Sequence, residues 1–170
     1  MRYQMAVLDE EIVIDINLDE LSWQVHPAAD PSAEFADVMV YQGYCASDQL
    51  QAVFDDNYIP GTRILVYDST TQVCSGSADE WFTIVLETPF TYLQADGNLI
   101  VEVQWSVPID GQSFYTWGWD TGTIRSISGD YGSSTGTMSS MMVMLRFEGD
   151  LSLTQMTHSA IKALFGAGVR

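Results

Sequence analysis

Acidic side chains dominate the groups in this sequence that could do chemistry, and several of them are neighbours. Glu10-Glu11, Asp55-Asp56 and Asp79-Glu80 are adjacent carboxylate pairs. A glycosidase needs two carboxylates that face each other across a cleft, one of them with a raised pKa. Neighbours on a strand point to opposite faces instead. In a chain with 23 acidic residues such pairs arise by chance, so they do not predict a glycosidase.

A second catalytic pattern, G-x-S-x-G, occurs at residues 132–136. In hydrolases this string forms a nucleophile elbow, with a strand before it and a helix after it. Here it lies in a loop of small residues between predicted strands. The two histidines are His26, in a loop before Pro27, and His158, near the C-terminus. The sequence therefore predicts no nucleophile–base pair and a protein that is not an enzyme.

Metal binding is a third chemistry that the acidic residues allow. Asp55, Asp56 and Asn57 are adjacent at a predicted turn and offer the oxygen ligands that Ca²⁺ prefers. The alternative is that these side chains form Asx-turns that satisfy the loop backbone. The spacing is not that of an EF-hand, and the sequence contains no zinc motif or phosphate-binding glycine loop. Ca²⁺ is the one cofactor that the sequence leaves open.

Three aromatic residues, Tyr115, Trp117 and Trp119, alternate along one predicted strand and would share a face. If that face is exposed, the rings form a platform on which sugar rings can stack. If it is buried, the rings are part of the core, which is the commoner outcome for aromatic residues in sandwiches. A glycan is therefore a candidate ligand.

Cys45 and Cys74 are the two cysteines of the chain, and they lack the C-x-x-C spacing of a metal or redox site. Two interpretations are open at this point: two buried thiols, or a disulfide between neighbouring strands of a secreted protein. A bridge would close a loop of roughly 30 residues and stabilise the fold by about 2–4 kcal/mol.

The overall charge restricts the partners of the protein. The 23 acidic and 6 basic residues give a formal charge of −17 on 170 residues, and Lys162 is the only lysine. This field repels nucleic acid and anionic membranes, which are bound by clustered Lys and Arg. The apolar stretches are far shorter than the roughly 18 residues that span a bilayer. The first residues resemble a strand rather than a signal peptide, so we expect a cytoplasmic protein or the mature form of a secreted one.

Short segments with aromatic, β-branched or alternating apolar residues recur along the chain, and Gly, Pro, Asp and Ser separate them, as is typical of strands. The predicted strands are 3–8, 12–16, 21–25, 36–42, 63–67, 81–86, 98–105, 113–119, 123–128 and 141–147. In 98–105, apolar residues alternate with Glu102 and Gln104, which predicts a strand buried on one side. These strands predict an all-β antiparallel sandwich over residues 1–150.

Residues 151–170 interrupt this pattern and form a predicted tail. Within 159–165, apolar residues fall on one helical face, and Gly166 provides a stop signal. A helix this short is not stable alone, so it must dock on its own domain or on a neighbouring subunit. We expect docking on a neighbour, with residues Leu151, Leu153, Ile161, Leu164 and Phe165 forming the assembly contact.

Four segments together resemble a known module: 54–58, 66–67, 81–92 and 98–103. The core string W-x-T-I-x-L-x-T-P-F-x-Y…N-L-I-V-E-V, with the Arg-aromatic-Gln opening at residues 2–4, is similar to an uncharacterised β-sandwich module of secreted and cell-surface bacterial proteins. The resemblance covers roughly residues 2–148, and 159–165 is similar to the segment that ends such proteins. It implies a jelly-roll-like sandwich and secretion, and it supplies no catalytic residues.

The sequence thus favours a non-enzymatic structural protein, extracellular or at the cell surface, whose copies assemble into a filament, sheath or surface layer. If the protein is secreted as the resemblance implies, Cys45 and Cys74 are expected to form a disulfide. The alternative function is a carbohydrate-binding or adhesion module that uses the Tyr115–Trp119 face or the Asp-rich loops. Homo-oligomers or polymers are the expected partners.

Overall fold

Antiparallel strands make up most of the regular structure of the protein. The computed structural model describes residues 1–151. The strands in this range are β1 (Arg2–Val7), β2 (Ile16–Gln24), β3 (Ser32–Cys45), β4 (Ile64–Ser75), β5 (Trp81–Tyr92), β6 (Asn98–Gln104), β7 (Gly118–Asp120), β8 (Ser126–Gly129), β9 (Thr137–Ser139), β10 (Met141–Val143) and β11 (Leu145–Leu151). The helical pieces in the same range are two three-residue 3-10 turns, and neither is long enough to cross a membrane.

The strands form two main sheets and a small ribbon. The larger sheet has the order β4-β3-β6-β1-β8-β9, the smaller has the order β11-β2-β5, and β10 pairs with β7. Alternate side chains of the two main sheets meet in one apolar core, which includes Met5 of β1, Leu21 of β2, Val40 of β3 and Leu99 of β6, all wholly buried. The predicted all-β, sandwich-like fold is confirmed.

Part of the outer face of the larger sheet, around β1, β6 and β8, is also buried, because residues 46–63 lie across these strands. We call these residues the covering segment. Phe54 and Tyr58 of this segment join Ile100 of β6 and Ile127 of β8 in a second apolar cluster. A Cβ at Gly43 would lie 2.8 Å from the Tyr58 ring, so glycine is required for this close approach. Strand β6 is therefore buried on both faces, and the prediction of one buried side was wrong.

Three predicted strands differ from those observed. Of 12–16, only Ile16 belongs to a strand, because the preceding residues turn. Of 113–119, only the last two residues are in β7. The predicted strand 141–147 is divided between β10, which pairs with β7, and β11, which pairs with β2. Met144 lies at the crossing, where its N–H donates to Trp117 and its carbonyl accepts from Gln24.

The last described residue, Leu151, belongs to β11 and pairs with Ile16 of β2. Strand structure therefore extends one residue beyond the predicted boundary at 150. The other predicted assembly residues, Leu153, Ile161, Leu164 and Phe165, and the predicted helix at 159–165 lie outside the described residues.

Candidate functional site

A buried carboxylate, Glu102, is the centre of a polar network on the outer face of the larger sheet. It lies on β6 directly opposite Gln4 of β1 and is wholly buried. Its two oxygens accept hydrogen bonds from Arg2, Gln4, Tyr58, Arg63 and Gln104. These five donors take up the hydrogen-bonding positions of the carboxylate oxygens. None is left for a substrate or for a proton that the carboxylate would accept.

The charges of this network balance. The Nε of Arg2 lies 3.0 Å from Glu102 Oε1, and the Nη2 of Arg63 lies 2.8 Å from the same oxygen. The second carboxylate is Asp55, whose Oδ1 is 2.8 Å from Arg2 Nη2. Two arginines thus face two carboxylates, and the buried pair among them, Arg2 with Glu102, carries no net charge. That balance is what makes burial of the ions tolerable.

The environment of the network favours the charged form of Arg2 and the neutral form of Tyr58. Burial acts to lower the pKa of Arg2, but the hydrogen bonds and charges of Glu102 and Asp55 outweigh it and hold that pKa above its ordinary value. Burial, followed by the negative charge of Glu102, holds the pKa of Tyr58 well above its ordinary value. Tyr58 therefore remains a hydrogen-bond donor. The network fastens the covering segment to β1 and β6 and is organised for stability.

An apolar cavity of about 310 Å³ opens between the two main sheets, at the end where β1 begins and β6 ends. Its aromatic walls are Tyr3, Trp23, Phe35, Phe82, Trp105 and Phe114. The Phe82 and Phe114 rings lie 5.4 Å apart, and those of Phe35 and Trp105 lie 5.8 Å apart, both edge to face. Trp23 is buried, but the other five walls are only partly buried. The cavity is therefore open to solvent and has the composition of a site for apolar groups.

Carboxylates surround this end of the molecule. Asp37 precedes the wall residue Val38 and accepts a hydrogen bond from the Ser106 hydroxyl at 2.8 Å. Asp30 accepts from the Ser113 N–H at 2.7 Å, beside another wall residue, and Asp110 accepts from the Glu34 N–H at 3.1 Å. In residues 1–151, the four arginines all form ion pairs elsewhere and line no part of the cavity. The apolar cavity therefore has an acidic surround.

The predicted aromatic platform is divided by the fold. Tyr115 and Trp119 are 55% and 42% exposed. Trp117 is turned against the His26 ring, with 4.4 Å between ring centres, and its indole N–H donates to Asp79 Oδ1 at 2.8 Å. Trp119 lines a separate depression of about 250 Å³ together with Trp81. The depression therefore brings the exposed Trp119 beside the half-buried Trp81, a grouping that spacing along the chain did not indicate.

The residues predicted to bind Ca²⁺ make other contacts. Asp55 pairs with Arg2, and Asn57 is buried, where its Oδ1 accepts the N–H of Gln51 and its Nδ2 donates to Gln4. Asp56 is exposed. Among residues 1–151, the structure contains no group of three or more His, Cys, Asp or Glu side chains that could hold a metal ion. The geometry gives no support to a Ca²⁺ site at this turn.

The predicted disulfide between Cys45 and Cys74 was wrong. Both thiols are free and buried. Cys74 of β4 pairs with Ala33, at the opposite end of β3 from Cys45. Twelve residues of strand separate the two positions, roughly 35–40 Å, whereas a disulfide needs Cα atoms within about 7 Å.

We expect both thiols to be detected only when the protein unfolds. Burial raises the pKa of Cys74 to about 12 and also raises that of Cys45 above its ordinary 9.0. The contribution of the Cys74 thiol to stability is therefore complete below pH 9 and is lost as the pH rises towards 12. Alkylation at pH 8 should be slow in native protein and should reach two thiols per chain in denaturant without reductant. Detection of no free thiol in denaturant would contradict the structure.

No family model, curated protein or solved structure matches the chain. The protein is thus characterised by its own features: an all-β sandwich with a buried charge network on one outer face and an apolar cavity at one end. The cavity could not be found from the sequence, because its walls come from segments up to about 140 residues apart, from Met1 to Val143. The sequence gives one weak indication of the network: Arg2 and Gln4 are two residues apart, and so are Glu102 and Gln104, so each pair would share a face of its strand.

Proposed function

We propose that the protein is a non-enzymatic extracellular structural subunit whose copies assemble into a filament, sheath or surface layer. The observation that carries this proposal is the position of β11. It forms one edge of the smaller sheet, and none of the described strands pairs with its outer side. An edge strand presents unpaired N–H and C=O groups that another chain can pair with.

The polar groups of the molecule support a structural role. Glu102 is the most buried carboxylate of the described residues, and all its hydrogen-bonding capacity is used within the fold. The Ser134 loop connects β8 with the short strand β9, which is not the strand–turn–helix setting of a nucleophile elbow. His26 packs against Trp117. These groups stabilise the subunit that we propose is repeated in the assembly.

Truncation after Leu151 tests the assembly proposal. It retains the whole of β11, so we expect the subunit to fold. We also expect that it no longer assembles, because the open edge of β11 alone, without the apolar residues of the tail, does not hold copies together, whereas the full chain forms large particles. Sedimentation velocity and electron microscopy report the assembly, and circular dichroism melting reports the fold. If the truncated chain assembles as well as the full one, the tail is not the connector. If it fails to fold, the tail belongs to the core of its own subunit.

A carbohydrate-binding module is the second candidate, and the exposure of Trp119 beside Trp81 favours it. Exposed indole rings provide flat surfaces against which sugars stack. Oligosaccharide binding by monomeric protein that Trp119→Ala abolishes would favour this function over assembly.

A further inference from the structure

Charge is divided unequally between the described body and the tail. Residues 152–170 contain Lys162 and Arg170 and none of the 23 acidic residues. The tail therefore carries a formal charge of +2, and since the whole chain carries −17, residues 1–151 carry −19. Opposite charges of this size attract the tail of one copy to the body of another and steer their encounter.

The tail also contains a compact group of apolar residues, Ile161, Leu164 and Phe165. Their spacing of three and four residues is the one that places side chains on a common face. The cavity has a volume of about 310 Å³, and an apolar protein cavity of about 150 Å³ holds one benzene molecule. The cavity therefore has room for about two of these side chains.

The cavity and the start of the tail lie at opposite ends of the sandwich. Strand β11 begins at Leu145, opposite the cavity wall residue Trp23, and reaches Leu151, opposite Ile16. Trp23 and Ile16 are seven residues apart on β2, roughly 20 Å. A tail that leaves one end and binds at the other end of the next subunit makes a head-to-tail contact, which builds open filaments rather than closed dimers.

We propose that the cavity binds the apolar face formed by Ile161, Leu164 and Phe165 from the tail of a neighbouring copy and takes in about two of these side chains, with Lys162 facing the acidic surround. This inference rests on the proposed assembly function and specifies which surface receives the tail. Aromatic walls bury the apolar side chains. Asp30, Glu34, Asp37 and Asp110 provide the negative field at the same end. Because the cavity and the start of the tail lie at opposite ends, each subunit can donate its tail to one neighbour and accept the tail of another.

Disulfide trapping between two full-length variants tests this contact. Both carry Cys45→Ser and Cys74→Ser, so no native thiol remains. The donor adds Leu164→Cys, and the acceptor adds Thr116→Cys in the cavity wall. The matched control acceptor adds Thr91→Cys, an exposed position at the opposite end, paired with Asn17. After mixing and mild oxidation we expect a covalent dimer joining positions 164 and 116, and little or none with the control acceptor.

Three outcomes would overturn the proposal in distinguishable ways. Equal crosslinking to both acceptors would show that the tail binds without regard to the cavity. A bridge that forms only within single chains carrying both Leu164→Cys and Thr116→Cys would place the tail in its own cavity. Absence of the bridge while sedimentation still shows assembly would refute the cavity as receiver and leave the assembly function standing. If the unmodified full chain does not assemble at all, the proposed function itself fails.

If the chains that carry Cys45→Ser and Cys74→Ser fold poorly, a second variant still tests the proposal. Phe165→Ala, with the native cysteines kept, should raise the concentration needed for assembly at least tenfold, the effect of losing one buried aromatic side chain. Thr157→Ala is the matched control in the same tail, and it should leave that concentration unchanged. Equal effects of the two substitutions would contradict a specific role for the apolar residues.

Discussion

Glu102→Ala should destabilise the protein by about 3–5 kcal/mol, because it removes the buried counter-charge of Arg2, which keeps only the exposed Asp55, and the counter-charge of the partly buried Arg63. The Arg2 side chain is only 7% exposed and that of Arg63 is 33% exposed. Removing the carboxylate also takes the hydrogen-bond acceptor from the Tyr58 hydroxyl and one of two acceptors from the Gln4 amide. A typical domain is stable by about 5–15 kcal/mol, so the substitution would remove a large share of the total. Urea unfolding followed by tryptophan fluorescence measures the change.

Glu148→Ala is the matched control for this experiment. Glu148 also pairs with an arginine, Arg146, at 2.8 Å, but the two side chains are 47% and 43% exposed. Exposed ion pairs contribute about 0–1 kcal/mol. If Glu102→Ala costs no more than Glu148→Ala, the network does not fasten the covering segment.

The alternation of residues along the chain was sufficient to predict the fold class and β6, but not the surroundings of that strand. A polar residue at every second position usually marks a solvent-facing side of an antiparallel sheet. In β6 those positions are buried: Tyr58 and Arg63 of the covering segment lie against Glu102, and Gln104 donates to Glu102. The antiparallel register sets Gln4 opposite Glu102 and so brings the polar groups of the network together. Register depends on the whole sheet, so a local pattern could not reveal it.

The failed disulfide and the divided aromatic platform have related causes. Cys45 and Cys74 do lie on neighbouring strands, β3 and β4, as predicted. The distance between them depends on the length of β3, 14 residues, which extends well beyond the predicted 36–42. Alternation places Tyr115, Trp117 and Trp119 on one face only if they occupy a regular strand. Of the three, only Trp119 lies in a strand, because 113–117 contributes a single isolated bridge, at Thr116.

The cavity illustrates what tertiary structure adds to the sequence. Tyr3 and Trp105 stand about a hundred residues apart, and the pairing of β1 with β6 brings them to one end of the sandwich. Each of these aromatic residues, taken alone, is typical of a strand core. Their partial exposure around a shared space is visible only when both sheets are in position. The sequence therefore shows the aromatic residues of the candidate site, but it does not show that they line one cavity.

Phe54→Ala should also cost about 3–5 kcal/mol, because it removes the largest apolar side chain that the covering segment buries. Phe54 is wholly buried among Ala6, Ile100 and Ile127, and the Arg2 guanidinium lies 4.3 Å from its ring centre. Tyr131→Ala is the control, since Tyr131 is 40% exposed and surface substitutions change stability by about 0.5 kcal/mol or less. Urea unfolding midpoints and slopes give both values.

A double-mutant cycle between Phe54→Ala and Glu102→Ala then tests whether apolar and ionic contacts hold the same segment. Arg2 touches both residues, since it pairs with Glu102 and lies over the Phe54 ring. Residues that share a partner show coupling energies of about 0.5–3 kcal/mol, so the double variant should lose less than the sum of the single losses. Strict additivity would mean that the two contacts act independently. If Phe54→Ala left the unfolding midpoint unchanged and accelerated amide exchange only in residues 46–63, the segment would be detachable, and the larger sheet would be stable without its cover.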